Sequence, residues 1–353
     1  MPKSLPLDPS YDYPIAFAAL RYLAMAGSFV VVVEDLATVD LLAKLPASTR
    51  ALFVSNLRQL GCGHLTAEDS RHSARKVINL VDYAVQQAKA LATEDVTSVL
   101  ASQLRGLVDR DICPSYSPLA AANGTEPPSK HAADLSRILQ LRSTPLNDIE
   151  STFFANDIGS LLAALDVIDI ARVELRLPVG SSGSKIGQAF VREWLVPLFC
   201  VRSFFMRQSP ALSSKGISAL IGIWALPQLV ADSGPERGVQ IAQSVPNRPG
   251  ALLPPQLDGL RAELDAADAA QMFWAQFVHG HDLMQILGML RAQERGDPSI
   301  PMKNFTDNSN GGWYGSPGMC ELRKREHEAF ETATAKFADI SNEGLMAFAN
   351  GLF

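Results

Sequence analysis

Apolar positions along this chain recur mostly at three- and four-residue intervals, the spacing that lines one side of an α-helix. Val77, Leu80, Val81, Tyr83, Ala84 and Val85 predict a helix ending near Ala92, with Thr66-Ala67-Glu68-Asp69 as its cap and acidic first turn. Thr93, Glu94 and Asp95 predict the start of another that ends near Asp109. Thr144-Pro145 reads as a cap with proline at the first helical position, and Phe153, Leu161, Leu162, Leu165, Val167 and Ile170 predict one long apolar helix after it. Helical spacing returns over 188–205, 213–230, 257–293 and 318–350.

Two stretches complicate this pattern. Pro14 to Val33 is apolar over about the 20 residues that span a bilayer. Arg21 lies inside it, Gly27 and Ser28 interrupt it, and no basic segment precedes it, so buried core is expected rather than a membrane span or signal peptide. Its β-branched end, Val30 to Val33, suits a short strand or a buried helical turn, and periodicity does not separate the two. Residues 113–130 shift to Pro, Ser, Gly and Asn and read as a long loop. With no strands alternating with helices and no internal repeat, the expected fold class is all-α, a large helical bundle. It would form one domain over residues 1–353, or two packed lobes of about 1–112 and 131–353 joined by that loop.

Composition narrows the function classes. Hydrophobic residues make up 47% and charged residues 19% of 353, enough apolar material for a sizeable core. A net charge of −6, without basic runs that interleave aromatics, argues against a nucleic-acid partner. Cys62, Cys113, Cys200 and Cys320 lack metal or redox spacing and fit reduced thiols in a cytoplasm. No Gly-x-Ser-x-Gly elbow, paired carboxylate-histidine set or aspartate-rich Mg²⁺ motif is present, which disfavours serine hydrolysis, di-iron and isoprenoid-cyclase chemistry. In Pro178 to Gly187, Lys185 follows Gly183 too closely for a phosphate loop.

Candidate chemistry gathers between His279 and Lys324. His279 shares a helical stripe with Met272, Ala275, Leu283, Ile286 and Leu290, whereas His281, about 200° further round a helix, faces with Trp274, Phe277 and Met284. A lone histidine on an apolar helix is more often a core residue satisfied by a carbonyl than a metal ligand. Here a glycine-rich turn follows, from Asn310 to Gly318, whose bare N–H groups suit a carboxylate-bearing planar cofactor. Ser316-Pro317 is also ordinary cap chemistry for the last helix. Arg192, Arg202 and Arg207 are candidates for binding a carboxylate, with solvated arginines as the plainer reading.

These residues resemble the tryptophan 2,3-dioxygenase family, in which the haem-ligating histidine begins the pattern His-x-x-x-Val-x-x-x-Ile-Gly. His279 is followed at the same spacing by Leu283, Leu287 and Gly288, and Gly315-Ser316-Pro317-Gly318 with Leu322-Arg323-Lys324 follows the family's glycine turn in order and phase. The glycine-rich segment 310–319 also resembles the pyrrolnitrin-pathway branch of this haem-dependent aromatic oxygenase superfamily. The resemblance implies haem b on His279, with His281 as the alternative ligand, and a dioxygenase-like helical fold. Gly311, Gly312 and Ser316 would lie on the cofactor, and Trp313, Tyr314 and Gly315 on an aromatic substrate of tryptophan or tyrosine type. It further implies O₂ or peroxide as co-substrate and a homo-oligomer. The family's distal His-x-x-x-Glu-Leu-Trp and Phe-Arg-x-x-Glu-Phe segments are absent, which leaves His64, His72 and His131 as distal candidates. A non-catalytic helical binding protein and a non-haem lyase or cyclase are the competing readings.

Overall fold

The computed structural model describes residues 13–45, 51–54, 74–91, 94–111, 129–208, 234–244, 254–306 and 316–336, with Leu119 and Phe348 as isolated positions. The chain divides into two compact units, one of residues 1–111, 129–145 and 343–353, the other of 112–128 and 146–342. Among the described residues no helix is long and apolar enough to cross a membrane.

The first unit is built on a parallel sheet. Helix α1 (Tyr13–Met25) leads into β1 (Phe29–Val32), then α2 (Leu36–Leu42) and β2 (Ala51–Val54), α3 (Ala74–Ala90) and α4 (Glu94–Gln103), β3 (Leu104–Val108), α5 (Ala132–Arg137) and β4 (Leu141–Ser143). The strands run in the order β2-β1-β3-β4, every neighbouring pair parallel, with Val30 opposite both Leu52 and Leu104. Parallel strands covered on both faces read as unbroken apolar runs rather than alternating ones. Val30, Val31 and Val32 are such a run, and each is at most 4% exposed. Burial of that kind contributes about 1.5–3 kcal/mol per side chain.

Helix α3 buries Val77, Ile78, Val81, Ala84 and Ala88 at helical spacing in a core shared with Leu20, Val30, Leu104 and Leu141. Gly106 permits this closeness, because a β-carbon there would lie 2.7 Å from Leu141 Cδ2 and 2.8 Å from Val81 Cγ2. The chain is therefore mostly helical but not all-α. The helix expected to end near Asp109 stops at Gln103, and Leu104–Val108 pairs as a strand instead. No glycine or proline stands between Gln103 and Leu104, and Gly106 lies inside the strand; the sheet's hydrogen bonds and the buried slot override the local helical spacing. The cap expected at Thr66 lies outside the described residues.

The second unit is helical throughout its described residues. Its chain order is α6 (Ile149–Phe154), α7 (Ile158–Ala164), α8 (Ile168–Glu174), α9 (Gly183–Phe190), α10 (Val196–Gln208), α11 (Gly234–Ser244), α12 (Pro254–Ala269), α13 (Gly280–Glu294), α14 (Met302–Thr306) and α15 (Pro317–Ala335). The long helix expected from Thr144 is broken into pieces: Asp148 caps α6, Asp157 caps α7, and Asp166 turns the chain at φ 59°. Thr144 instead follows β4, and its hydroxyl accepts the Arg110 N–H at 2.9 Å. The expected burial of Phe153, Leu161, Leu162, Leu165 and Val167 holds even though the helix does not.

The glycine run of 178–187 has a packing role. Ser182 caps α9, and a β-carbon on Gly187 would lie 2.6 Å from the Gly159 nitrogen, so α7 and α9 cross backbone to backbone. A π-helical turn, Val191–Leu195, joins α9 to α10. The helix expected over 257–293 is three segments: α12, a 3₁₀ segment (Gln271–Phe277) and α13. Helix α15 ends at Ala335, and the helix expected over 213–230 lies outside the described residues.

Candidate functional site

The start of α13 gathers several buried charged groups. His279 is not inside the helix; it is the N-cap, with φ −103° and ψ 126°, and its carbonyl accepts the Leu283 N–H at 3.0 Å. This corrects the helical-wheel separation of the two histidines. An extended residue leaves the helical phase, and the His279 and His281 rings lie 5.6 Å apart, tilted by 31°.

Asp148 organises the site. One carboxylate oxygen accepts the Ser151 N–H at 2.8 Å and caps α6, while the other accepts the Gly280 N–H at 2.7 Å at the head of α13. A carboxylate at two helix N-termini is stabilised by both sets of free N–H groups. The approach requires glycine, since a β-carbon on residue 280 would lie 2.5 Å from Asp148 Oδ1 and 2.5 Å from Glu150 Cβ. His279 Nδ1 stands 3.6 Å from Asp148 Oδ2, beyond hydrogen-bond reach, and is buried without a partner. The whole imidazole is about one-fifth exposed, at 20%.

Arg202, from α10, forms an ion pair with Asp282 in the first turn of α13, and both are almost fully buried. The guanidinium Nε and Nη1 of Arg202 are buried and unpartnered. Burial pushes the His279 pKa down and the Arg202 charge pushes it further, against the pull of Asp148 and Asp282, so the ring is neutral near pH 7. Burial acts to raise Asp282, but Arg202 and the histidines hold it below the usual carboxylate range. His281 points away to α15, where Nδ1 meets Glu326 Oε1 at 2.6 Å and Gln285 donates to the other oxygen at 3.1 Å. Partial burial works against its charge, yet Glu326, Glu150 and Asp148 raise its pKa; with the side chain 63% exposed, solvent screens much of that effect.

The remaining sequence candidates separate clearly. Ser316 caps α15, its buried hydroxyl accepting the Met319 N–H at 3.3 Å. Gly311, Gly312, Trp313, Tyr314 and Gly315 lie outside the described residues, as do His64 and His72. His131 belongs to the first unit, beside Asp111. Arg192 pairs with Asp268 at 2.5 and 2.9 Å, and Arg207 with Glu263. Gly288 lets α13 meet α15, since a β-carbon there would lie 2.5 Å from the Arg325 carbonyl oxygen, and Gly318 similarly admits the ring of Phe305. Helix packing thus accounts for both glycines.

The donor set suits a group held through one nitrogen. Burial favours the neutral ring of His279 and a carboxylate stands near Nδ1, an environment in which Nε2 could hold such a group. Among the described residues, no group of three or more His, Cys, Asp or Glu is arranged to hold a bare metal ion. Asp148, Asp282, Glu150 and Glu326 were missed in the sequence. The Asp148-x-x-Ser151 spacing signals a cap, but nothing local signals a partner 132 residues away. Comparison with family models, curated proteins and solved structures returned no match to this chain.

Proposed function

We propose that the second unit is a haem-dependent oxygenase acting on an aromatic amino acid or a derivative of one, and that His279 would hold the haem. The observation that carries this reading is the buried, unpartnered Nδ1 of His279, 3.6 Å from Asp148 Oδ2, with burial favouring the neutral ring. A small rotation would let Nδ1–H donate to the carboxylate, which fixes the tautomer and leaves Nε2 as the electron-pair donor. Haem b would supply the activation of O₂ or peroxide, and the protein would supply orientation and exclusion of water. Arg202 supports a substrate that carries hydrogen-bond acceptors, because its buried Nε and Nη1 are without a partner while Nη2 serves Asp282. By the same resemblance, the active form is a homo-oligomer.

The test is the absorption spectrum of the full chain, purified and titrated with haemin. A Soret band that titrates to one haem per chain and is lost or displaced in His279→Ala, but kept in His281→Ala, is the expected result. A chain that stays colourless on reconstitution overturns the haem reading.

A second reading, a non-haem lyase or cyclase, is favoured by the same pair: an imidazole beside a carboxylate is also the arrangement of a general base held in one orientation. That protein would be colourless and would show a ligand-dependent rise in Tm. A chain that binds neither haemin nor an aromatic carboxylate would leave a non-catalytic binding protein.

A further inference from the structure

The first unit carries a second candidate site that owes nothing to His279. Its sheet order, β2-β1-β3-β4, puts the strand that follows β1 on one side and β3 on the other, so the chain's direction of winding reverses between β1 and β3. In open parallel sheets such a reversal opens a crevice beyond the carboxyl ends of the strands, and ligands bind there. The residues leaving β1 are Val33, Glu34 and Asp35; those leaving β3 are Asp109, Arg110 and Asp111, and the chain returns beside them at Ser129, Lys130 and His131.

These segments are tied together. The Asp109 N–H donates to the Glu34 carboxylate at 2.9 Å, across the reversal. The Lys130 N–H donates to the carbonyls of Arg110 and Asp111, and its ammonium meets Asp111 Oδ2 at 3.2 Å. The Ser129 hydroxyl donates to the Arg110 carbonyl at 2.9 Å and accepts the His131 N–H at 3.0 Å. The His131 side chain is only 9% exposed, and its Nε2 points to Asp111 Oδ2 at 3.8 Å, too far for a hydrogen bond. That nitrogen is buried and unpartnered. A buried imidazole nitrogen left without a partner beside the Asp111 carboxylate wants a third group between them.

The surroundings select the chemistry of that group. A phosphate is disfavoured: Asp35 already takes the free N–H of Thr38 at 2.8 Å, Glu34 stands next to it, and no glycine-rich turn follows either strand. Lys130 and Arg110 already serve the local carboxylates and carbonyls and repel an added cation. Among the described residues no group of three or more His, Cys, Asp or Glu is arranged to hold a metal ion. A neutral ligand that offers hydroxyl groups satisfies both sides, donating to a carboxylate and exchanging a hydrogen bond with the imidazole. Burial raises the Glu34 pKa to about 7, even though the Asp109 N–H works to lower it. This lets the carboxyl group donate as well as accept near neutral pH.

We infer that the crevice between β1 and β3 binds the vicinal diol of an unphosphorylated nucleoside, held between Glu34 and His131. The experiment is calorimetric titration of the full chain with adenosine, guanosine, cytidine and uridine, each beside its 2′-deoxy form and its 5′-monophosphate. At least one nucleoside is expected to bind, with its 2′-deoxy form and its monophosphate each about tenfold weaker or more. Glu34→Gln and His131→Asn are each expected to weaken the nucleoside by a similar factor, with unchanged far-UV circular dichroism. The comparison with the 2′-deoxy form uses the native chain, so it stands even if a variant fails to fold. Failure of all four nucleosides to bind overturns the inference, as does equal affinity for a deoxynucleoside or a monophosphate. Because every residue involved lies in the first unit, a colourless chain leaves this test unaffected.

Discussion

Gly280→Ala is the sharpest probe of the site at the head of α13. A β-carbon there would lie 2.5 Å from Asp148 Oδ1, 2.5 Å from Glu150 Cβ and 3.0 Å from Asp148 Cγ, so something has to move. If Asp148 withdraws, the 2.7 Å bond to the Gly280 N–H is lost, and the 2.8 Å cap on Ser151 is strained with it. If the head of α13 withdraws, the first bond is lost and His279 is carried away from the carboxylate. A hydrogen bond to a charged acceptor is worth about 1.5–3 kcal/mol, and forced overpacking costs about 1–3 kcal/mol. The same movement relieves one while losing the other, so these figures overlap, and the net expectation is a loss of about 2–4 kcal/mol. Urea unfolding followed by circular dichroism measures it. Gly259→Ala is the control, because nothing lies within 4 Å of a β-carbon at that helical position. It should be neutral or stabilise by up to about 1 kcal/mol. In an Asp148→Ala background two of the three close atoms are gone, and the cost of Gly280→Ala should fall by about 1 kcal/mol or more. A Gly280→Ala protein within about 0.5 kcal/mol of the parent would refute the description of Asp148 as a carboxylate shared by two helices.

Asp282→Ala leaves the buried Arg202 without its counter-ion and should cost about 3–5 kcal/mol, seen as a lower urea midpoint, whereas a loss under about 1 kcal/mol would mean that the pair is solvated. Gly288→Ala drives a β-carbon into the Arg325 carbonyl and should cost about 1–3 kcal/mol without displacing any Soret band; a displaced band with unchanged stability would instead place that glycine against the cofactor. In NMR titrations His279 should titrate below the ordinary 6.5 and His281 above it, and Glu326→Gln should bring His281 down; a His279 that titrates normally would remove the neutral-ligand argument. For His279 the unfolded chain takes up a proton that the folded chain resists, so stability falls as pH drops below about 6.5. Glu34 acts the opposite way: its folded pKa of about 7 lies above the unfolded 4.5, so the stability that it contributes is present below 4.5 and is lost as pH rises through 7. Glu34→Gln should flatten that second dependence, and a profile identical to the parent's between pH 4.5 and 8 would count against it.

Much of the helical content was legible because amphipathic spacing survives in any helix with one buried face, as in Val77, Val81, Ala84 and Ala88 of α3. The sheet was not legible, for two separate reasons. Val30 to Val33 is buried on both sides, and a strand covered on both faces has no alternation to read. Leu104 to Val108 follows α4 directly, its only breaker being Gly106 inside the strand, so pairing with β1 and β4 is what reveals it. At the site, the chemistry of His279 could be read, but its position could not. A helical wheel treats residues 272–290 as one helix, whereas the chain passes through a 3₁₀ segment and an extended residue before α13 begins. Asp148, and Asp282 as the partner of Arg202, were beyond reach for a simpler reason: side chains that meet across 132 and 80 residues leave no local trace.

Those separations give the site a place in time as well as in space. All four strands of the first unit are present once synthesis has passed Ser143, but Asp148 has no Gly280 and Arg202 has no Asp282 until the chain has grown past α12. Contacts of such long range form late, because their loop-closure entropy is met only after local helices exist. Throughout that interval the growing chain carries a solvated arginine and a solvated aspartate that will later be buried. The Asp148–Gly280 bond therefore marks completion of the second unit, and hydrogen exchange at the Gly280 amide would report whether a given molecule has finished folding.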